Sequence, residues 1–339
     1  MTNVIWFWVL GGMLIAYAVL DGFDLGVGAL HLWIARDNYE RRVALNAIGP
    51  VWNGNEVWLI AAGGMMVVSF PGLYASAFSG FYLALMMVLW LLILRGVSIE
   101  VRGQIDHPLW RSFWDACFWI GSLLLALLLG VALGNVLRGL PVQADHLFQG
   151  TFTLLLNPYA LLTGVLSVAV LAWHGANYLR LKTGGALLER ARRWSAGLYW
   201  IMLGLVIVST VFTFMVRSAL TGNYRQHPAG LLLPLIGVAG LALGFVGSRH
   251  AERDRTAFRA SVLTIIGLLS AAAFSVFPNF VASTLNPAWS LNIYNTASTP
   301  HAQFTALIAN LVGMLGVVVY STYIHRIFRG KVHLDEHGY

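Results

Sequence analysis

Nine long runs of apolar residues restrict what this chain can fold into more than any other feature of its sequence. Each run reaches the roughly 20 residues that a helix needs to cross a hydrocarbon core about 30 Å thick. Of all residues, 58% are hydrophobic and 10% are charged, whereas a soluble domain carries about 25% charged residues. We therefore predict an all-α integral membrane protein with nine transmembrane helices. The predicted helices lie near residues 4–33, 48–69, 73–94, 113–137, 153–178, 195–216, 230–247, 260–282 and 303–324.

The Lys and Arg residues outside these runs are distributed unequally between the two sides of the membrane. The loops 35–47, 95–112, 179–194 and 248–259, together with the tail after residue 324, carry 18 of them, and the other side carries 3. Because Lys and Arg are enriched in cytoplasmic loops, we expect the N-terminus outside and the C-terminus in the cytoplasm. The net charge of +7 is thus explained by topology, and no nucleic acid partner is predicted.

The whole chain, residues 1–339, is expected to form a single membrane domain. No soluble domain or low-complexity segment separates the apolar runs. The first run lacks a basic segment before it and is longer than the apolar part of a signal peptide, which has about 7 to 15 residues, so we expect it in the mature protein. The expected arrangement is two four-helix bundles, helices one to four and five to eight, plus one additional helix.

Two polar blocks interrupt the apolar runs: DGFDLGVG at 21–28 and WNGNEVWL at 52–59. A carboxylate within a membrane helix is energetically costly, and such residues face a protein interior or a water-filled path. Asp21, Asp24 and Glu56 are therefore the first candidates for function.

Helical spacing places these polar residues on common faces. Asp21, Asp24 and His31 share one face of the first helix, and Asn53 and Glu56 share one face of the second. Since a cytoplasmic loop joins the two helices, both faces lie in the cytoplasmic half of the membrane, and we expect one buried cluster. Two roles fit it: hydrogen bonds that only fasten the helices together, and proton conduction or ion binding.

The other chemically active residue types give weaker signals. The single cysteine, Cys117, excludes a disulfide framework and a cysteine-ligated metal cluster. His174 lies deep in an apolar run without a persuasive partner for haem ligation, which favours a buried hydrogen-bonding role. Trp52 and Trp58 flank the second polar block, where packing is favoured. His31, His174, Trp52 and Trp58 are kept as supporting candidates.

Motifs of several common enzyme classes are missing from the sequence. It contains no Walker motif, no HExxH, no GxGxxG after a strand and no GxSxG. Hydrolysis of ATP, zinc proteolysis and acyl transfer therefore have no support.

Longer blocks of this sequence resemble those of a known family. They are DGFDLGVG followed by ERR, PVWNGNEVWLI, YASAFSGFYLAL, WDACFWIGSLL with GVALGNVLRGLP, NPYALLTGV, HGANYLRLKT, and FPNFVAS with LNIYNTAS. In this order, from the first helix to the ninth, the blocks resemble subunit II of the cytochrome bd quinol oxidases, including their cyanide-insensitive relatives.

The resemblance implies an electrogenic complex of the bacterial inner membrane that oxidises quinol and reduces dioxygen to water. In that family subunit I ligates two b haems and one d haem, and subunit II is haem-free, is needed for assembly and is not active alone. Members can also hold a structural quinone in subunit II and very small accessory subunits.

The resemblance also implies a proton path from the cytoplasm and shows one departure from it. Asp21 and Asp24 match family positions, but Asn53 occupies the position of a family aspartate, and an amide cannot give up a proton at physiological pH. Glu56, one helical turn along, is ionisable and could replace it. The predicted path is Asp21, Asp24, Asn53 and Glu56, with no metal site and no catalytic residue in this chain.

Two other classes of protein remain open at the level of sequence. Polar residues on adjacent helices could bind the coupled ion of a secondary transporter or ion channel, and the chain could be a purely structural subunit. The visible absorption spectrum of the purified complex separates these classes, because b and d haem bands indicate the oxidase.

Overall fold

The computed structural model describes residues 2–332, so the last part of the predicted cytoplasmic tail, residues 333–339, lies outside the described range. Within residues 2–332 the chain is mainly helical. The helices are α1 (Thr2–Ile34), α2 (Asn38–Ile48), α3 (Trp52–Ser69), α4 (Pro71–Gly80), α5 (Tyr82–Val101), α6 (Pro108–Arg138), α7 (Phe152–Leu155), α8 (Pro158–Lys182), α9 (Gly185–Val216), α10 (Gly222–Gln226), α11 (Leu232–Arg249), α12 (Asp254–Val276) and α13 (Pro300–Ile327). Two short strands, β1 (Asn279–Val281) and β2 (Leu291–Asn292), pair antiparallel.

Eight helical segments of the described chain are long and apolar enough to cross a membrane. They are α1, α5, α6, α8, α9, α11 with the helical turn before it, α12 and α13. The all-α membrane class is confirmed, but the count of nine is not. The missing segment is α3, which has 18 residues. Its first five residues include Asn53, Asn55 and Glu56, and these polar side chains lower its mean hydropathy.

The third predicted helix, 73–94, is wrong in its bounds. It is divided at Phe81 into α4 and α5, and α5 continues to Val101. Gly80 precedes the break, and glycine is a poor helix former. A Cβ at Gly80 would lie 2.7 Å from the Phe148 side chain, so the glycine admits this ring at the break.

The eighth predicted helix, 260–282, is also wrong at its end. The observed helix α12 stops at Val276. Pro278 has no backbone N–H, and a residue before proline is disfavoured in the helical conformation. Phe277 accordingly has φ −51° and ψ 137°, and the chain then enters β1.

The two expected groups of four helices, α1 with α3, α5 and α6, and α8 with α9, α11 and α12, pack closely against each other. In the first group α1 packs on α3 and α6, and α6 packs on α5. In the second group α8 packs on α9 and α12, and α11 packs on α9 and α12. Contacts of α8 with α1 and α6 join the groups, and α13 packs on α3 and α1.

Glycines set the close contact between the two groups. A Cβ on Gly26 of α1 would lie 1.9 Å from the Leu171 carbonyl oxygen, and a Cβ on Gly175 of α8 would lie 2.3 Å from the Gly26 carbonyl carbon. Small residues allow membrane helices to approach in this way. With α8 on this face and α3 and α6 on others, the segment of α1 from Asp21 to His31 is buried throughout.

The two ends of the bundle have different structures. One end, which we call the α2 end, contains helix α2. There the Tyr178 hydroxyl donates to the Ala47 carbonyl oxygen at 2.9 Å, and this bond connects α8 to α2. The opposite end, which we call the β end, contains the strands β1 and β2. There the loops after α6 and α12 are joined by two backbone hydrogen bonds of 2.9 Å each: the Leu140 amide donates to the Ala282 carbonyl oxygen, and the Thr284 amide donates to the Leu140 carbonyl oxygen. The α2 end contains the loops that are predicted to be cytoplasmic.

Candidate functional site

Arg95 connects two of the predicted carboxylates inside the bundle. Its guanidinium donates to both carboxylate oxygens of Asp21, from Nη1 at 2.9 Å and from Nη2 at 2.7 Å. The same Nη2 donates to Glu56 at 2.6 Å. Arg95 and Asp21 are fully buried, and the Glu56 side chain is 20% exposed. Planar guanidinium groups suit such bidentate contacts with carboxylates.

Three helices position these groups. Asp21 lies on α1, Glu56 on α3 and Arg95 on α5. Gly96, the residue after Arg95, faces the ring of Trp52, and a Cβ there would lie 3.2 Å from that ring. A small residue at this level therefore lets α5 approach the start of α3, and Trp52 has a packing role as predicted.

Asp24 forms the second half of the cluster. The Asn55 side-chain amide donates to Asp24 Oδ2 at 2.7 Å and to the Leu20 carbonyl oxygen at 3.2 Å. Asp24 is 1% exposed, and its Oδ1 has no hydrogen-bond partner among the described residues. No cation of the described chain lies within ion-pair distance of Asp24. The cluster thus holds three carboxyl groups and one guanidinium.

Asn53 does not lie in this cluster, which corrects the prediction of a single buried group. Its side chain is exposed on the outer face of α3. Asn53 and Glu56 lie about 60° apart around a helix, near the edge of the buried face, so a small rotation of α3 puts one of them at the surface. The partly exposed Glu56 is the cluster member nearest to this face.

His31 is also separate from Asp21 and Asp24, and belongs to an ion-pair network at the α2 end. Its Nε2 lies 2.7 Å from Asp115 Oδ1. Arg102 donates to the same carboxylate at 2.6 and 3.1 Å, and Arg41 donates to it at 2.9 Å. This network joins α1, α2 and α6 to the residue after α5, so His31 has a structural setting there.

His174 is fully engaged in hydrogen bonds, as the sequence predicted. Its Nδ1 lies 2.7 Å from Ser261 Oγ, and its Nε2 lies 2.9 Å from the Val19 carbonyl oxygen. The imidazole stacks on Phe258 with ring centroids 5.1 Å apart. Neither ring nitrogen is free to ligate a metal. Trp58, the other supporting candidate, has a buried Nε1 without a partner among the described residues.

Sequence reasoning missed the residues that organise both polar groups. Arg95 falls in the loop 95–112 that the sequence predicts, but it lies within α5 and is fully buried. Asn55 is part of the polar block 52–59, and Asp115 lies in the apolar run 113–137. A single charged residue within an apolar run is itself a signal, because such residues are paired inside membrane proteins.

Comparison with known proteins provides the family. The family model for "Cytochrome bd terminal oxidase subunit II" matches residues 2–328. The chain is 37% identical to the "Probable cytochrome oxidase subunit 2" of Haemophilus influenzae, over 97% of this chain and 94% of that protein. It is 35% identical to the "Cytochrome bd-I ubiquinol oxidase subunit 2" of Escherichia coli K12, over 87% of this chain and 86% of that protein.

Structural comparison agrees at the level of the fold. A chain of the bd oxidase from Geobacillus thermodenitrificans superimposes with a TM-score of 0.79 at 18% identity, covering 96% of this chain and 98% of that chain. The matched family model spans nearly the whole described sequence, and the relatives match over most of their own length. The chain therefore belongs to the cytochrome bd terminal oxidase subunit II family.

Proposed function

We propose that this chain is the haem-free subunit of a bd-type quinol oxidase, and that it conducts protons from the cytoplasm toward the site of dioxygen reduction. The observation that carries the second part is the cluster of Asp21, Asp24 and Glu56 around Arg95. Intramembrane carboxyl groups are costly and mark proton pathways by default. Movement of protons from the cytoplasmic side would make the complex electrogenic.

The charge of the cluster supports this role. Arg95 compensates one negative charge, and Asp21 and Glu56 both contact it. An additional ionised carboxylate at Asp24, without a cation, would be an uncompensated buried charge, which is strongly unfavourable. We infer that Asp24 is protonated in the resting protein. Its neutral carboxyl group and the Asn55 amide form a hydrogen-bonding pair beside the Asp21–Arg95 pair.

The position of Asn53 supports an entry to this path at the α2 end. Asn53 lies in the first turn of α3 and is exposed, whereas Glu56 is one turn deeper and partly exposed. An amide orients water without titrating, so Glu56 is the first group from this face that can accept a proton. The proposed order is water at Asn53, then Glu56, then the interior group of Asp21 and Asp24.

The exposed face of α3 supports a protein partner at this site. Asn53, Val57, Ile60, Gly64 and Val67 recur at helical spacing and are all exposed. A polar side chain on an otherwise apolar membrane face is better placed against protein or water than against lipid. We propose that this face contacts the haem-bearing subunit I, which would hold two b haems and the d haem.

Other features of the family remain part of the proposal. The chain would support assembly of subunit I and would be inactive alone, in a bacterial inner membrane. Very small accessory subunits and a structural quinone are proposed by likeness to the family, and no residue of this chain is assigned to them. Quinol and dioxygen would be substrates of the whole complex.

The topology is proposed from the basic residues together with the fold. Helix α3 would be the ninth membrane span, in spite of its polar first turns, because Asn55 and Glu56 contact Asp24 of α1 and Arg95 of α5. An odd number of spans requires termini on opposite sides. With most Lys and Arg residues at the α2 end, the N-terminus would be outside and the C-terminus cytoplasmic.

Purification through this chain tests the assignment as an oxidase subunit. We expect the complex to show b and d haem absorption bands, and the chain expressed without its partner to contain no stoichiometric haem. A homogeneous but colourless complex would instead favour a transporter or channel. A stable single chain that contains haem would contradict the haem-free assignment.

A further inference from the structure

A cavity of about 310 Å³ opens at the α2 end, away from the carboxylate cluster. It lies between the end of α8, the beginning of α12 and the segment after α13. Its walls include Arg180, Arg253, Asp254, Arg255 and Lys331. The volume is at the lower end of the range for small-ligand pockets in proteins, which begins at roughly 300 Å³.

The acidic charge of the cavity floor is already compensated. Asp254 accepts from Arg180 Nε at 2.9 Å and from Arg192 Nη2 at 2.9 Å. Arg180 is 1% exposed and also donates to Ser195 Oγ at 3.1 Å. Glu252, the other carboxylate at the cavity, has a side chain that is 74% exposed. The floor therefore carries no uncompensated negative charge from Asp254.

Three cations in the walls are available to a ligand. Arg253, Arg255 and Lys331 are exposed, and their side chains form no ion pair with a carboxylate of residues 2–332. The wall that contains Lys331 is held in place, because the Val332 amide donates to the Lys182 carbonyl oxygen at 2.8 Å and Lys182 Nζ donates to the Phe328 carbonyl oxygen. The cavity is thus formed before a ligand binds.

We propose that this cavity binds the phosphate-bearing headgroup of an anionic phospholipid. Its cations match a phosphate group, and basic pockets between transmembrane helices at one membrane face bind such headgroups. The cavity lies at the ends of α8 and α12, which are both candidate membrane spans. Trp194, 36% exposed on the neighbouring helix α9, is of the residue type enriched at membrane interfaces.

A charge-matched pair of variants tests this site in the purified oxidase complex. The triple variant Arg253→Gln, Arg255→Gln, Lys331→Gln removes the three wall cations. The control Arg36→Gln, Arg193→Gln, Arg326→Gln removes three exposed cations from the same end of the bundle, outside the cavity. Native mass spectrometry then measures retention of phosphatidylglycerol against phosphatidylcholine, with haem content as the check on assembly.

We expect the cavity variant to lose phosphatidylglycerol affinity on the order of a hundredfold, since each Lys or Arg near anionic lipid contributes about fivefold. The control should keep the wild-type preference. The double variant Arg253→Lys, Arg255→Lys, with native Lys331, preserves the charge and should retain most of the affinity. Equal retention in the cavity variant and the control would overturn the proposal.

Inorganic phosphate distinguishes the source of the anion. If the complex still binds phosphatidylglycerol in low millimolar inorganic phosphate and releases it only as the salt concentration rises, the result supports a lipid headgroup. Rising salt weakens this binding because it screens electrostatic attraction. The complex could instead bind inorganic phosphate saturably and show no preference for phosphatidylglycerol over phosphatidylcholine. That result would assign the cavity to a soluble anion and refute the lipid site.

Discussion

Three carboxyl groups and one guanidinium meet at the contact of α1, α3 and α5. Asp21 is held by two hydrogen bonds from Arg95, whereas Asp24 is held only by the Asn55 amide. Groups with such different partners should have different tasks. On the proposed proton path, Asp21 would position and neutralise Arg95, and Asp24 and Glu56 would carry protons.

The role of Glu56 can be tested by removing only its titratable proton. We expect Glu56→Gln to reduce quinol oxidase turnover by about 10²-fold, the size of effect seen when an essential proton-transfer group is removed. Asn53→Ala should reduce it less. Adding Asn53→Asp to Glu56→Gln should restore part of the rate, because a carboxylate at the entry can serve the same water path.

Turnover must be compared with haem content in each Glu56 variant, since a buried carboxylate can also affect assembly. Glu189→Gln is the control, because Glu189 is 61% exposed on α9. If Glu56→Gln assembles with full haem and keeps wild-type turnover over the working pH range, Glu56 is structural and protons enter elsewhere.

The two aspartates should respond differently to the same change. Asp24→Asn preserves a neutral group of the same shape, so we expect normal haem content with strongly reduced turnover. Asp21→Asn leaves the buried Arg95 with Glu56 alone, and loss of one partner from a buried ion pair costs about 3–5 kcal/mol. The yield of haem-loaded complex should therefore fall.

Two measurements separate these roles. Asp106→Asn, at a side chain that is 89% exposed, should leave both yield and turnover unchanged. The double variant Asp21→Asn, Arg95→Gln removes charge from both members of the pair and should recover part of the lost yield. Equal yields and equal turnover for Asp21→Asn and Asp24→Asn would show that this division of roles is wrong.

At the scale of elements, different helices cover the two faces of α1. Backbone approaches backbone at Gly26 and Gly175, which covers the glycine face of α1 with α8. Asp21 and Asp24 are instead in contact with Arg95 of α5 and Asn55 of α3. The polar start of α3 is compatible with a membrane-spanning position because Asn55 and Glu56 find their partners on α1 and α5.

Enlarging Gly175 should separate these helices. For Gly175→Ala we expect a loss of stability of at least about 1–3 kcal/mol, the usual cost of overpacking, since its Cβ would overlap the α1 backbone. Thermal unfolding and haem retention of the purified complex measure it. The control is Gly197→Ala in α9, where a Cβ meets nothing within 4 Å; stability there should be unchanged or rise by about 0.5–1 kcal/mol. Equal stability of both variants would mean that the close crossing is not required.

At the scale of the whole molecule, the distribution of basic residues and the two ends of the bundle predict one orientation. A cysteine at Leu285, which is 52% exposed near the β end, should react with a membrane-impermeant thiol reagent added from outside. A cysteine at Glu189, near the α2 end, should react only after the cytoplasmic side is opened.

These labelling variants need a background in which Cys117 is replaced by serine, and oxidase activity confirms that each is correctly assembled. Labelling of the Leu285 position only from the cytoplasmic side, in an active complex, would reverse the topology. It would also move the proposed proton entry at Asn53 to the outer face.

The sequence alone determined the membrane class, the approximate position of most helices, and the placement of Asp21, Asp24 and Glu56 inside the protein rather than against lipid. These follow from local properties: the length of apolar runs, and the cost of placing a carboxylate within one. The engaged state of His174 was predicted because its isolation from other histidines is also visible in the sequence.

Only the tertiary structure decided how the polar residues are partitioned. Arg95 is distant in sequence from Asp21 and Glu56, and the pairing depends on the rotation and depth of three helices. That rotation puts Asn53 outside the cluster and His31 into a separate network with Asp115. Hydropathy is a sum along one segment, so it does not show which neighbouring helix compensates a charge. For that reason the mean hydropathy of α3 is too low for a membrane span, although Asn55 and Glu56 are paired with α1 and α5.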